Sequence, residues 1–190
     1  MKKFLPIVLF VTATVTSPVL ADDVSGQVSS PRVVARDAVV YLESYRKAQP
    51  LPRAVIDQRD KTFIPHVSVV TTGTSVQFPN NDSVFHNVFA YFNAKKFDLG
   101  MYPRGASKSV TFEKKGLVSL LCNVHSEMSA FIVVVDTPYY AVSDRQGRFL
   151  IRGVPSGAYV LHVWHESGGS YSRAVAIHGD VALNAMLERK

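Results

Sequence analysis

The residues around the only cysteine of the chain are the ones best suited to chemistry. Cys122 is followed by His125 and Met128, and a further histidine, His86, lies upstream. One thiolate, two imidazoles and one thioether form the donor set of a blue-copper site, in which cysteine and two histidines are the strong ligands and methionine is a weak axial ligand. These residue types therefore predict a copper site made of His86, Cys122, His125 and Met128.

A β-strand that ends at the cysteine would position these donors. Side chains alternate between the two faces of a strand, so Val118, Leu120 and Cys122 share one face, and the thiol lies at the end of an apolar row. A short loop after Cys122 can bring His125 and Met128 back to the same point. His86 has to come from another strand, where it shares a face with apolar neighbours and would point inward.

Each donor also has an ordinary structural interpretation. A lone cysteine on a strand is most often a small buried apolar residue, a strand histidine is commonly a core or surface residue, and Met128 could fill a gap in the core. The combination favours a metal site. Exported proteins usually use cysteines in disulfides, and the N-terminus, described below, predicts export. A single cysteine cannot form an internal disulfide, so metal binding is a more specific explanation for Cys122.

The rest of the chain predicts an all-β protein. Alternating apolar and polar residues are separated by Gly, Pro, Asn and Asp, and no long stretch has the spacing of an amphipathic helix. Many short strands with turns between them indicate a sandwich or a barrel. The candidate strands are 22–29, 38–44, 53–57, 68–71, 75–79, 86–91, 106–112, 116–122, 131–136, 139–142, 149–154, 158–164 and 172–177.

The N-terminus resembles a secretory signal peptide. Lys2 and Lys3 precede an apolar run, and small residues stand at Val19 and Ala21 where a signal peptidase would cleave. We therefore expect export to the periplasm, and no membrane span after residues 1–21 are removed. The chain has a formal net charge of +6, but its basic residues are scattered, so nucleic acid is not an expected partner.

The middle of the chain resembles a cupredoxin, and in particular the amicyanin group and periplasmic proteins described as methylamine-utilisation-like. The resemblance covers roughly residues 53–136 and depends on segments 62–65, 67–70, 76–82, 86–88 and 122–128 together with Gly73. It implies a Greek-key β-sandwich that binds copper through His86, Cys122 and His125, with Met128 as the axial ligand. Asn87 would then hydrogen-bond near the thiolate. Relatives often carry proline beside the second histidine, whereas Ser126 and Glu127 follow it here, so Met128 and Glu127 remain alternatives for the fourth donor.

The two ends of the chain resemble parts of one further module. Segments 143–149, 153–159 and 161–164 are similar to the second half of a carboxypeptidase-regulatory-like, transthyretin-type β-sandwich, and segments 24–28 and 38–42 are similar to its first two strands. We therefore expect a signal peptide at 1–21, the first strands of the transthyretin-like module at 22–50, an inserted cupredoxin domain at 51–137 and the rest of the module at 138–190.

Further histidines suggest weaker candidate sites. His162, His165 and Glu166 are close in sequence, but strand alternation places His162 and His165 on opposite faces. His66 is interpreted as a half-exposed strand residue or a partner contact. The aromatic residues with a predicted core position are Phe85, Phe89, Phe92 and Trp164.

These features predict a periplasmic type 1 copper protein that transfers single electrons to or from a redox partner protein. A copper handling or delivery protein and a metal-free structural or binding β-sandwich are the alternatives. An enzyme is not expected, because the sequence has no nucleophile elbow and no zinc-protease helix motif.

Overall fold

The computed structural model describes residues 21–31, 35–91 and 94–187. Apart from Ala21, the predicted signal peptide lies outside these residues, as does Phe92. All regular structure in the described ranges is β-strand, so the prediction of an all-β chain is confirmed. The strands are β1 Ala21–Ser29, β2 Val39–Glu43, β3 Ala54–Val55, β4 Asp57–Arg59, β5 Thr62–Ile64, β6 Val67–Thr71, β7 Thr74–Pro79, β8 His86–Ala90, β9 Phe97–Tyr102, β10 Ser107–Phe112, β11 Gly116–Leu121, β12 Ser129–Val135, β13 Tyr140–Val142, β14 Arg148–Pro155, β15 Gly157–His165, β16 Gly169–Ile177, β17 Val181–Ala182 and β18 Ala185–Met186.

Strands from the two ends of the chain form one sandwich, here called the outer sandwich. One of its sheets has the order β14-β1-β17, with β18 also paired to β1, and the other has the order β13-β2-β15-β16. β2 is paired on one side with β13 and on the other with β15, so it lies in the middle of a sheet whose other strands come from the second half of the chain. The likeness of this sandwich to transthyretin-type modules stays a prediction.

The middle of the chain forms a second sandwich, here called the inner sandwich, from β3 to β12. Its sheets have the orders β10-β7-β3 and β6-β12-β11-β8-β9, and the hairpin β4-β5 joins it through a bridge between Gln58 and Asn80. Its core is separate from the outer core and includes Cys122 and Met128. In the described part of the chain, no strand ladder joins the inner sandwich to the outer one.

The two sandwiches pack against each other through a small apolar layer. Alternation along β12 directs Ala130, Ile132 and Val134 into the inner core, so Phe131, Val133 and Val135 face the other way. Across the boundary they meet side chains of the outer sandwich that include Val39 and Trp164, and the rings of Phe131 and Trp164 lie 5.2 Å apart. β12 is therefore covered on both faces.

None of the described residues forms a helix long and apolar enough to cross a membrane.

Candidate metal centre

Two neighbouring strands of the inner sandwich bring the candidate ligands to one end of the sheet. His86 is the first residue of β8, and Cys122 follows the last residue of β11. The two strands are antiparallel neighbours, with Leu121 opposite Phe89, so the start of β8 lies beside the loop that leaves β11. That loop runs from Cys122 to Met128, and β12 begins at Ser129.

Three donor atoms converge at this place. The Nδ1 atoms of His86 and His125 are 3.1 Å apart, and the sulfur of Cys122 is 3.9 Å from Nδ1 of His86. All three donors lie within 4.8 Å of one another. His86 is fully buried and Cys122 is buried, while His125 is half-buried and reaches toward the surface.

The opposite nitrogen of His86 is held by a carboxylate. Nε2–H of His86 donates a hydrogen bond of 2.9 Å to Oδ2 of Asp82, which fixes the proton on Nε2 and leaves Nδ1 with a free lone pair. A carboxylate behind a histidine is a common way of orienting a metal ligand and raising its basicity. By residue type, Asp82 ends a run of turn-forming residues, Asn80-Asn81-Asp82. Its position four residues before His86 was the available signal for this role.

The carboxylate of Asp82 also accepts hydrogen bonds from the backbone. Its carboxylate accepts hydrogen bonds from the backbone N–H groups of Lys61, at 2.7 Å, and Ser83, at 2.6 Å. The Lys61 bond and the contact with His86 hold the pKa of the Asp82 carboxyl well below its usual range. The group therefore presents a negative charge to His86.

Asn87 supports the ligand loop rather than the donors themselves. Its side-chain oxygen accepts a 2.7 Å hydrogen bond from the backbone N–H of Asn123, the residue after Cys122. This contact ties the start of the loop to β8. The bond lies next to the cysteine, and the role of Asn87 in supporting a metal site stays a prediction.

The two alternatives for the fourth donor have very different surroundings. Met128 is 1% exposed and belongs to the inner core that also contains Cys122, and its N–H donates to the carbonyl of His125. Glu127 is exposed and is not part of the three-donor group. These placements favour Met128 over Glu127 as the residue nearest to the buried side of the site.

Two of the three donor separations fit a single metal ion. Metal–nitrogen and metal–sulfur bonds of about 2.0–2.3 Å allow two donors of one ion to lie up to about 4 Å apart. The separations of 3.1 and 3.9 Å from His86 lie within that limit, whereas the separation of Cys122 and His125 is bounded only by 4.8 Å. A thiolate with two imidazoles suits copper or zinc, and a nearby thioether is the addition typical of a blue-copper centre.

The other histidines considered in the sequence are not brought together. Nε2–H of His165 donates to the carbonyl of Arg36, and its Nδ1 accepts from the N–H groups of Ser167 and Gly168. His162 faces the other side of β15, where it stacks on Tyr41 at 4.7 Å and lies 3.3 Å from Glu43. The described residues therefore place no second metal cluster at His162 and His165.

The predicted core positions of the aromatic residues hold only in part. Phe89 is buried, whereas Phe85 is 54% exposed, so its core assignment is wrong. Phe85 precedes the buried His86 in the chain, and strand alternation directs it to solvent. Trp164 is half-buried in the apolar layer between the two sandwiches.

The chain is similar to known proteins in its three-dimensional structure only. No model of a known protein family matches the chain, and no curated protein matches it. The solved structures to which it is similar include a purple cupredoxin from Nitrosopumilus maritimus, at 24% identity with a TM-score of 0.39, covering 43% of this chain and 98% of that one. A reduced variant of amicyanin follows at 20% identity with a TM-score of 0.40, covering 50% of this chain and 98% of that one.

A copper-containing nitrite reductase from Thermus scotoductus is also similar, at 19% identity with a TM-score of 0.44, covering 58% of this chain and 28% of that one. At these identities and scores, the similarity assigns no residue and no activity to this chain. The structural neighbours are nevertheless cupredoxins.

Proposed function

We propose that the inner sandwich is a cupredoxin that binds one copper ion through His86, Cys122 and His125, with Met128 as a weak fourth ligand, and that the protein transfers single electrons. The convergence of one thiol and two imidazole nitrogens within 4.8 Å, beside a buried methionine, carries this proposal. Copper in a thiolate–imidazole site supplies one-electron chemistry by alternating between its two common oxidation states.

Contacts within the chain hold the proposed copper ligands in fixed positions. His86 is fixed from behind by Asp82, and the start of the ligand loop is fixed by Asn87. Cys122 and Met128 are packed in the core of the inner sandwich. Donors held in this way move little, which favours fast exchange of an electron.

A redox partner protein is part of the proposal. His125 is the most exposed of the three strong ligands, so an electron would pass through it to the surface. Val124, beside His125, and Phe85, beside His86, are 45% and 54% exposed. Exposed apolar side chains beside the site suit a transient partner that excludes water on docking. Export to the periplasm, as expected from residues 1–21, belongs to the same proposal, and no catalytic reaction of its own is assigned to the chain.

The test is the visible absorption and electron paramagnetic resonance spectrum of the mature protein with one equivalent of Cu(II). We expect an intense thiolate-to-copper band that is lost in Cys122→Ser and strongly altered in His125→Gln. His178→Gln is the matched control, because His178 is exposed and outside the site, so its spectrum should equal that of the wild type.

The outcomes separate the alternative functions. Reversible reduction of a coloured protein supports electron transfer. A colourless protein that binds only Cu(I) and releases it to a chelator would identify copper as cargo. A copper content unchanged by Cys122→Ser would contradict the proposed site and favour a metal-free binding sandwich.

A further inference from the structure

His66 lies where the two sandwiches and the ligand loop meet. It stands between β5 and β6 of the inner sandwich, with 39% of its side chain exposed. Its Nδ1 is 3.0 Å from the carbonyl oxygen of Ser129, and its Nε2 is 2.7 Å from Oε2 of Glu166. Ser129 directly follows Met128, and Glu166 lies in the turn between β15 and β16 of the outer sandwich.

The two contacts fix the charge of the ring. A carbonyl oxygen and a carboxylate oxygen only accept hydrogen bonds, so both ring nitrogens of His66 have to donate. A neutral imidazole carries one N–H, whereas an imidazolium carries two. Imidazole is the stronger base compared with a carboxylate, so the shared proton resides on His66 and the contact with Glu166 is an ion pair.

The backbone of His66 binds the same segment as its ring. The carbonyl of His66 accepts a 2.8 Å hydrogen bond from the N–H of Phe131, and the imidazole edge packs against the Phe131 ring at 5.6 Å. His66 therefore holds the first residues of β12, immediately after Met128, through three different contacts.

The other charged and titratable groups near this contact have partners of their own. Arg36, Asp37 and His165 line the same cleft of about 300 Å³ as His66 and Glu166. Arg36 is paired with Asp37 at 3.0 Å. His165 uses both ring nitrogens in bonds to the backbone. Glu166 is thus the carboxylate that His66 meets directly.

We propose that protonated His66 is a positioning residue that couples the end of the copper-ligand loop to the outer sandwich through Ser129 and Glu166. This inference rests on the proposed copper site. Loss of the proton leaves one N–H for two acceptors, so one of the two contacts is lost.

The first part of the test uses the copper-free protein and nitrogen-15 NMR of the imidazole rings. At pH 6 we expect both nitrogens of His66 to be protonated in the wild type. In Glu166→Gln a larger fraction of the rings should carry a single proton. Glu113→Gln makes the same charge change at an exposed residue between β10 and β11, and it should match the wild type. A singly protonated His66 in the wild type at pH 6 would overturn the inference.

The second part measures the copper dissociation constant at pH 6 in the wild type, in Glu166→Gln and in the Glu113→Gln control. Half-exposed ion pairs are weak, so we expect Glu166→Gln to bind copper about two- to fivefold more weakly than the other two proteins. A purely structural role would lower stability without changing the protonation of the His66 ring that NMR reports. Equal affinities of the two variants would overturn the coupling. Failure of the protein to bind copper at all would instead contradict the proposed function. The protonation of His66 would still be tested in that case, because the NMR experiment uses the copper-free protein.

Discussion

The candidate donors are supported by residues that are not themselves donors. Asp82 accepts a hydrogen bond from His86, and Asn87 accepts one from the main chain after Cys122. His66 contacts the carbonyl oxygen of Ser129, the residue after Met128. Each support comes from a different part of the chain, so the site depends on the fold of the whole inner sandwich rather than on the local loop.

Asp82→Asn tests the support behind the first histidine. The amide removes the negative charge that stabilises the Nε2–H form of His86, and it also disturbs the bond from Lys61. We expect copper affinity to fall by about 10- to 100-fold, as measured by competition with a chelator. Asp60→Asn is the control, since Asp60 is an exposed residue of the β4–β5 turn. Unchanged affinity in Asp82→Asn would show that His86 needs no carboxylate partner.

The fourth donor can be identified by a pair of substitutions in neighbouring residues. Met128→Leu keeps an apolar side chain of similar volume but removes the thioether, so the thiolate-to-copper band should persist with altered position and resonance parameters. Glu127→Gln removes an exposed charge and should leave both spectra unchanged. The reverse pattern would assign the fourth position to Glu127.

The sequence indicates the candidate donors and one supporting residue, Asn87, but not the contacts of Asp82 and His66. His86, Cys122, His125 and Met128 are recognisable because their chemistry is rare in a chain with a single cysteine. Asp82 is an ordinary turn residue by type, and its role appears only when the fold turns its carboxylate toward Nε2 of His86. The contact between His66 and Glu166 joins residues 100 positions apart, which no local pattern can indicate.

At the scale of elements, the long strands were easier to predict than the short and exposed ones. β11 alternates because one of its faces lies in the inner core, and β12 is recognisable as a continuous apolar run that is covered on both faces. β9 was missed because only Tyr102 in it is buried, and Gly100 interrupts it with a positive φ of 62°. The two-residue strands β17 and β18 pair with β1 through few residues and carry no recognisable period.

Close approach of the C-terminal segment to β1 depends on Gly26. A Cβ atom at this position would lie 1.9 Å from the carbonyl oxygen of Leu183 and 2.9 Å from the ring of Phe149. Gly26→Ala should therefore destabilise the protein by about 1–3 kcal/mol through overpacking, as measured by urea unfolding. Gly157→Ala is the matched control, because the nearest atom to its Cβ is at an ordinary 3.6 Å. Equal effects of the two substitutions would contradict close packing at Gly26.

At the scale of the whole molecule, the chain enters and leaves the inner sandwich at neighbouring points. The N–H of Ala48 donates a 3.1 Å hydrogen bond to the carbonyl of Asp136, and Lys47 forms a 2.7 Å ion pair with the Asp136 carboxylate. The connections on both sides of the inner sandwich are therefore joined to each other.

The ion pair at this joint predicts a pH dependence of stability. The hydrogen bond from Lys47 lowers the pKa of Asp136 below its usual 3.8. A lowered pKa in the folded state means that the contribution is present above about pH 4 and is lost as the pH falls through the folded value. We expect Asp136→Asn to cost less than about 1 kcal/mol at pH 7, since Lys47 is exposed, and to match the wild type near pH 2 in urea unfolding. A difference that persists at pH 2 would exclude the ion pair as its cause.

The pairing of β2 with β13 and β15 has a consequence for biosynthesis. A ribosome completes β1 and β2 long before it makes their partners, whereas every strand of the inner sandwich lies between Ala54 and Val135. The inner sandwich can therefore fold while two strands of the outer one still have open edges. Open edges promote association with other chains, so we expect β1 and β2 to make the nascent protein prone to aggregation until β13 to β18 have been synthesised.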